Sequence, residues 1–217
     1  MTALRLAIYL ALSLVVGMSA REYARSLVAT RLGDPTPRLW GRLTMNPRAW
    51  FDPFGSGLLP GLILILWASS ATFLPPPIAY AKPAPVDPSY FRHRTRDTVL
   101  TAVAGPVANV VLAAVVGIVL RAGFSGEIRL ALAALVFANL CLAVFHLLPI
   151  PGLDGARIVG LFLPPRAAEL YRNADQYLAL FALVALFLFA GPLTSIVYSL
   201  VGSLCRLLAG AGAGCRV

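Results

Sequence analysis

Hydrophobic positions in this chain fall in long blocks. They occupy Leu4–Met18, Leu58–Phe73, Val99–Leu120, Leu130–Leu148 and Tyr177–Leu208. A membrane-spanning helix takes about 20 apolar residues. Val99–Leu120 meets that length best, with Leu130–Leu148 close behind. Tyr177–Leu208 is long enough for two segments, and Gly191-Pro192 predicts the break between them. The first run has two readings. Arg5, a short apolar stretch and Met18-Ser19-Ala20 resemble a secretory signal peptide. Alternatively one helix continues through Arg21–Leu32, which has good helix formers and no proline.

The polar segments between the runs are full of breakers. Arg31–Phe54 contains Gly33, Pro35, Pro37, Gly41, Pro47 and Pro53, with Arg38–Met45 expected as a short strand or hairpin. Pro75–Asp97 is proline-rich, with an extended stretch expected at Ala81–Val86. Both read as irregular or β-like caps at a membrane surface, where backbone groups can still find partners. Gly105-Pro106 is expected to shape a helix near its start, and Pro149–Pro151 to break one. The predicted architecture is an all-α membrane protein of about 4–5 transmembrane helices, with a re-entrant segment and a small β-like cytoplasmic-side cap. It forms a single domain over residues 1–208, with a core at 8–165 and C-terminal helices at 176–208, and then a flexible tail at 209–217.

Composition sharpens this picture. Hydrophobic residues make up 59% of the chain and charged residues 12%. A soluble domain carries about twice that charge, so an ordinary soluble enzyme and a disordered chain are both excluded. The formal net charge is +9. A nucleic-acid binder would gather such charge on a soluble face. Here it lies between apolar runs, so topology explains it and no nucleic-acid partner is expected. Cys141, Cys205 and Cys215 are too few and too scattered for a disulfide framework. If Leu58–Phe73, with its Pro60 and Gly61, dips in and returns, then Arg21–Arg48, Lys82–Arg96 and Arg157–Arg172 share one side. Arg5, Arg121 and Arg129 fall on the other side, and such a bias points the basic side to the cytoplasm. If the run crosses, the two most basic loops part.

Four strings stand in order along this apolar chain. The first is Arg21-Glu22-Tyr23-Ala24-Arg25. The second is Gly33-Asp34-Pro35-Thr36, then Gly41-Arg42-Leu43-Thr44-Met45-Asn46-Pro47 and Phe51-Asp52-Pro53-Phe54-Gly55. The third is Ala81-Lys82-Pro83 with Ala104-Gly105-Pro106-Val107-Ala108-Asn109. The fourth is Asn139-Leu140, then Phe145-His146-Leu147-Leu148-Pro149-Ile150-Pro151-Gly152-Leu153-Asp154-Gly155. Together they resemble the site-2 protease family, the intramembrane zinc metalloproteases, over about residues 8–165. The resemblance implies an H-E-x-x-H helix whose two histidines, four apart on one face, hold Zn²⁺ while the glutamate acts as general base. It implies a third ligand at Asp154 and the general-base position at Glu22.

Both histidine positions are arginine here, Arg21 and Arg25. A guanidinium is always protonated and has no lone pair for a metal. His146 stands where the family typically has asparagine, and Trp50 where it commonly has histidine. Two fates are open to the arginines. They could snorkel to the interface, or fork onto Asp154 and Glu22 in place of the zinc. His146, Asn109, Asn139, Asp34 and Asn46 are further candidate cleft residues, although Asp34 and Asn46 read first as turn formers. The expectation is a multi-pass cell-membrane protein with its degenerate site toward the cytoplasm. It would have lost zinc and hydrolysis and would bind a membrane partner, a partner's transmembrane segment or a larger complex within the bilayer. The alternative is an active intramembrane metalloprotease with a rearranged site built on Glu22, His146 and Asp154.

Overall fold

A computed structural model describes residues 2–69, 75–82, 84–177 and 190–210. Helix α1 (Thr2–Arg31) runs unbroken through both halves of its disputed segment. It is followed by α2 (Thr36–Leu39), α3 (Leu59–Ala68), α4 (Arg94–Leu120), α5 (Gly126–His146), α6 (Asp154–Gly160), α7 (Pro165–Asn173) and α8 (Ala190–Ala209). Three of these are long and apolar enough to cross a membrane: α1, α4 and α5. The protein is a multi-pass membrane protein built around that trio. The trio packs mutually, α3 lies on α1, and α8 rests on α4 and α5. Fewer spanning helices than expected are therefore seen among the described residues. Residues 178–189, which hold most of the first half of the last apolar run, lie outside them, as does the tail from residue 211. The second half begins at Ala190, with Pro192 in its first turn, where a missing N–H costs nothing.

The core is aliphatic and aromatic. Leu10, Leu14 and Met18 of α1 meet Ile63 and Trp67 of α3 and Phe137, Leu140 and Cys141 of α5. Phe137 holds Trp67 edge-on at 6.2 Å and stacks on Tyr198 of α8 at 5.9 Å. Polar ties mark the two ends of the bundle. At one end Arg5 and Tyr9 of α1 hold Glu127 of α5, and Arg121 donates to the Leu207 carbonyl. At the other end lie the last turns of α1, the start of α4, the end of α5 and α6. The expected site residues all come from this second end. Cys141 is a buried free thiol, and Cys205 is disulfide-bonded.

Several expectations are corrected. No strand forms among the described residues, so the β-like cap is replaced by turns and short helices. The segment expected as a hairpin at Arg38–Met45 instead closes α2 and turns at Gly41, where φ is +64°. Asp34 Oδ1 accepts the Thr36 amide at 2.9 Å and starts this turn, and Pro37 has no N–H for a ladder. The Ala81–Val86 stretch lies in a single strap without a ladder. Tyr80 donates to the Gly55 carbonyl at 3.0 Å and Lys82 to that of Trp50 at 2.9 Å. Prolines at 75, 76, 77, 83 and 85 have no N–H to give a ladder. Helix α4 starts at Arg94, so Pro106 sits in its interior rather than near its start.

The residues before and after α3 are tied to each other. With the π-helical run Pro53–Leu58 that leads into it, the helix extends over Pro53–Ala68, a rise of about 20–24 Å against the roughly 30 Å hydrocarbon core. Trp67 Nε1 donates to the Pro75 carbonyl at 2.9 Å, beyond the helix end at Ala68. The strap then returns to the start, where Ser56 Oγ donates to the Tyr80 carbonyl at 2.8 Å. Both ends of the excursion are thus tied to each other.

Candidate functional site

Helix α1 places Gly17, Arg21 and Arg25 at four-residue intervals on one face, with Glu22 beside them. Arg21 lies ten residues, about 15 Å, before the helix end at Arg31. Neither arginine snorkels: Arg21 is 2% exposed and Arg25 3%. The partner comes from α6. Leu147 and Leu148 close α5, the Pro149–Pro151 turn redirects the chain, and Asp154 opens the next helix, 1% exposed. Arg21 Nη2 donates to Asp154 Oδ2, and Arg21 Nη1 donates to Glu22 Oε1 at 3.0 Å. Arg25 Nη1 stands 3.8 Å from Asp154 Oδ1, an ion pair without a hydrogen bond. Two cations and two carboxylates therefore share one buried cluster with balanced charge.

Glycine makes the room for it. A Cβ on Gly105 of α4 would lie 3.1 Å from Arg21 Cγ. A Cβ on Gly155 would lie 2.2 Å from the Leu147 carbonyl oxygen, which is why α6 can start so close to the end of α5. One turn before Arg21, a Cβ on Gly17 would lie 2.7 Å from Asn139 Oδ1. Through that gap Asn109 Nδ2 donates to the Gly17 carbonyl at 3.1 Å and to Asn139 Oδ1 at 2.8 Å. Asn139 in turn donates to the Leu135 carbonyl. Asn109 and Asn139 thus clip α1, α4 and α5 together beneath the cluster.

His146 ends α5, 2% exposed, with Nδ1 2.9 Å from the Leu142 carbonyl and its ring edge-on to Phe145. Asp34 and Asn46 do not join the cluster. Asp34 is fully buried, taking the Thr36 amide and hydroxyl on Oδ1 and the Asp87 amide on Oδ2. Asn46 is exposed and caps the Pro47–Ala49 turn. In the cap, Asp87 takes the Ser89 amide, which holds its carboxyl below the usual range.

Does this donor set fit zinc? A metal centre needs several lone-pair donors converging on one point. Among the described residues no three His, Cys, Asp or Glu side chains converge in that way. Glu22 Oε1 and both Asp154 oxygens already face guanidinium groups. The residues present do not fit the ion. What they can do is neutralise each other in a dry site and pin α6 to α1. The pinning is incomplete, because Arg21 Nε, Arg25 Nε and Nη2, and Glu22 Oε2 are buried without a hydrogen-bond partner.

Curated relatives carry consistent names. "Putative zinc metalloprotease YwhC" of Bacillus subtilis is 35% identical over 199 residues, 87% of this chain and 83% of the relative. "Putative zinc metalloprotease Rip2" of Mycobacterium tuberculosis is 31% identical over 181 residues, 82% of this chain and 65% of the relative. Its Mycolicibacterium smegmatis namesake is 29% identical over 175 residues, covering 64% of that protein. No family model and no solved structure matches the chain.

Proposed function

The chain belongs to the site-2 protease family of zinc metalloproteases, and from that membership we propose that it is a non-hydrolysing member. In this reading the Arg21–Glu22–Arg25–Asp154 cluster stands where the family holds its metal. One observation carries it: the buried Arg21 guanidinium bridges Glu22 and Asp154. Positive charge without lone pairs replaces a divalent cation, and the helices stay clipped together. The protein then works by binding. Its helices hold a partner's transmembrane segment, or it serves as an accessory subunit of a membrane complex. The cluster end faces the cytoplasm, since most of the arginines gather there.

The relatives' names favour a second reading, metal-dependent cleavage at a rearranged site. Zinc content of the purified protein separates the two. We expect substoichiometric zinc and no cleavage of a transmembrane model substrate in detergent. The Arg21→His/Arg25→His double variant calibrates the assay, because it restores two imidazoles on one helical face beside Asp154 and is expected to gain zinc. Stoichiometric zinc in the unsubstituted protein would overturn the proposal.

A further inference from the structure

A second site lies outside the ion-pair cluster. A cavity of about 540 Å³ opens between the start of α4, the strap at 84–88, α6 and α7. Two cations line it, Arg94 from α4 and Arg157 from α6. Among the described residues neither has a carboxylate within 4.0 Å. Arg94 donates to the Pro88 carbonyl through Nε at 3.4 Å, and the Asp87 carboxylate, which accepts the Ser89 amide, lies near enough to feel its charge without pairing with it. The neighbouring Asp97 is taken by Arg96 at 2.9 Å and by the His93 amide.

Hydroxyls share the wall with the two cations. Thr101 touches the cavity, but its Oγ1 is sealed among protein atoms without a hydrogen-bond partner and offers an occupant nothing. Buried hydroxyls are seldom left this way. Thr98 stands one turn earlier on the same face of α4 and is only half-buried. The remaining wall is apolar, supplied by Val86, Ala102 and Leu161 among others. Two cations, the Thr98 hydroxyl and an apolar wall match a phosphate group carried on an apolar body. A small free anion would use the arginines and leave the apolar wall idle.

We propose that this cavity binds the phosphate headgroup of an acidic phospholipid. Arg94 and Arg157 take the phosphate oxygens as charge-assisted donors, and Thr98 takes an ester or glycerol oxygen beside them. Basic pockets between membrane helices hold such headgroups by this chemistry. Because Arg157 sits on the helix that carries Asp154, an occupied cavity braces α6 against α4. The inference stands whether or not the cluster hydrolyses anything.

Native mass spectrometry of the delipidated full chain tests it, with phosphatidylglycerol, phosphatidylcholine and inorganic phosphate as separate probes. Phosphatidylglycerol is expected to bind well above phosphatidylcholine. Arg157→Gln should weaken it about fivefold and Arg94→Gln/Arg157→Gln about thirtyfold, from the usual worth of each basic contact to an anionic lipid. Arg48→Gln, an exposed arginine outside the cavity, should leave it unchanged. Thr98→Val should weaken it without lowering the melting temperature. Equal binding of the two lipids, or a preference that survives the double arginine variant, would overturn the site. Inorganic phosphate binding as tightly as phosphatidylglycerol would overturn the lipid assignment.

Discussion

A guanidinium that is 2% exposed must find its acceptors inside the protein, and Arg21 finds two, while Arg25 finds one at 3.8 Å and keeps two bare nitrogens. The two arginines therefore differ in what their loss should cost. Removing one member of a buried, hydrogen-bonded pair costs about 3–5 kcal/mol, because the other charge is left behind. Arg21→Met should lose that much in denaturant unfolding of the micelle-bound protein, and Asp154→Asn should lose a similar amount. Arg25→Met should lose only about 1–2 kcal/mol, the scale of an imperfect buried polar contact. Equal losses at the two arginines would show that Arg25 is better held than its geometry suggests. Positions 21, 22, 25 and 154 could be read from their strings, since residue type and helical spacing carry the argument. Gly17 and Thr101 could not, because a missing Cβ and an orphaned hydroxyl acquire meaning only from neighbours on other helices.

Elements position that cluster, and glycine is what lets them meet. Gly155→Ala puts a Cβ against two backbone carbonyl oxygens, at 2.2 Å and 2.4 Å, which cannot swing aside as a side chain would. Helix α6 must back away from α5 and carry Asp154 off Arg21. The expected result is a loss comparable to Arg21→Met, and one that is not additive with it in the double variant, because both act on one contact. The strap offers a pH test. The Ser89 amide holds the Asp87 carboxyl below the usual range. A carboxyl depressed in the folded state adds stability that is present above its unfolded value, near pH 4. That stability is lost as pH falls through the lower folded value. Exchange of the Ser89 amide should accelerate below about pH 4, and Asp87→Asn should remove the pH dependence. Here the sequence misled in an instructive way. Short extended segments were visible, but the prolines at 75, 76, 77, 83 and 85 strip the strap of the donors a sheet needs.

For the molecule as a whole, the question is which way the chain passes through the bilayer. The apolar runs made the three long helices legible, and the charge asymmetry indicated which ends belong together. The α3 segment was open from sequence, because the run Leu58–Phe73 is neither clearly short nor clearly spanning. Contacts far apart in sequence favour the return: Tyr80 on Gly55 and Lys82 on Trp50 join the residues before α3 to those after it. Membrane-impermeant thiol labelling turns that geometry into a sidedness test. Cysteines at Ser56 and Lys82 should react from one side of the membrane, and a cysteine at Phe124, at the bundle's other end, from the opposite side. If the arginine-rich end lies inside the cell, as proposed, reagent added to intact cells should reach Phe124→Cys and spare Ser56→Cys and Lys82→Cys until the membrane is opened. Opposite sidedness at Ser56 and Lys82 would mean that the excursion crosses. The arginines of Arg21–Arg48 and Lys82–Arg96 would then be split across the bilayer, and the cluster of α1 and α6 would lose the shared side on which its assembly depends.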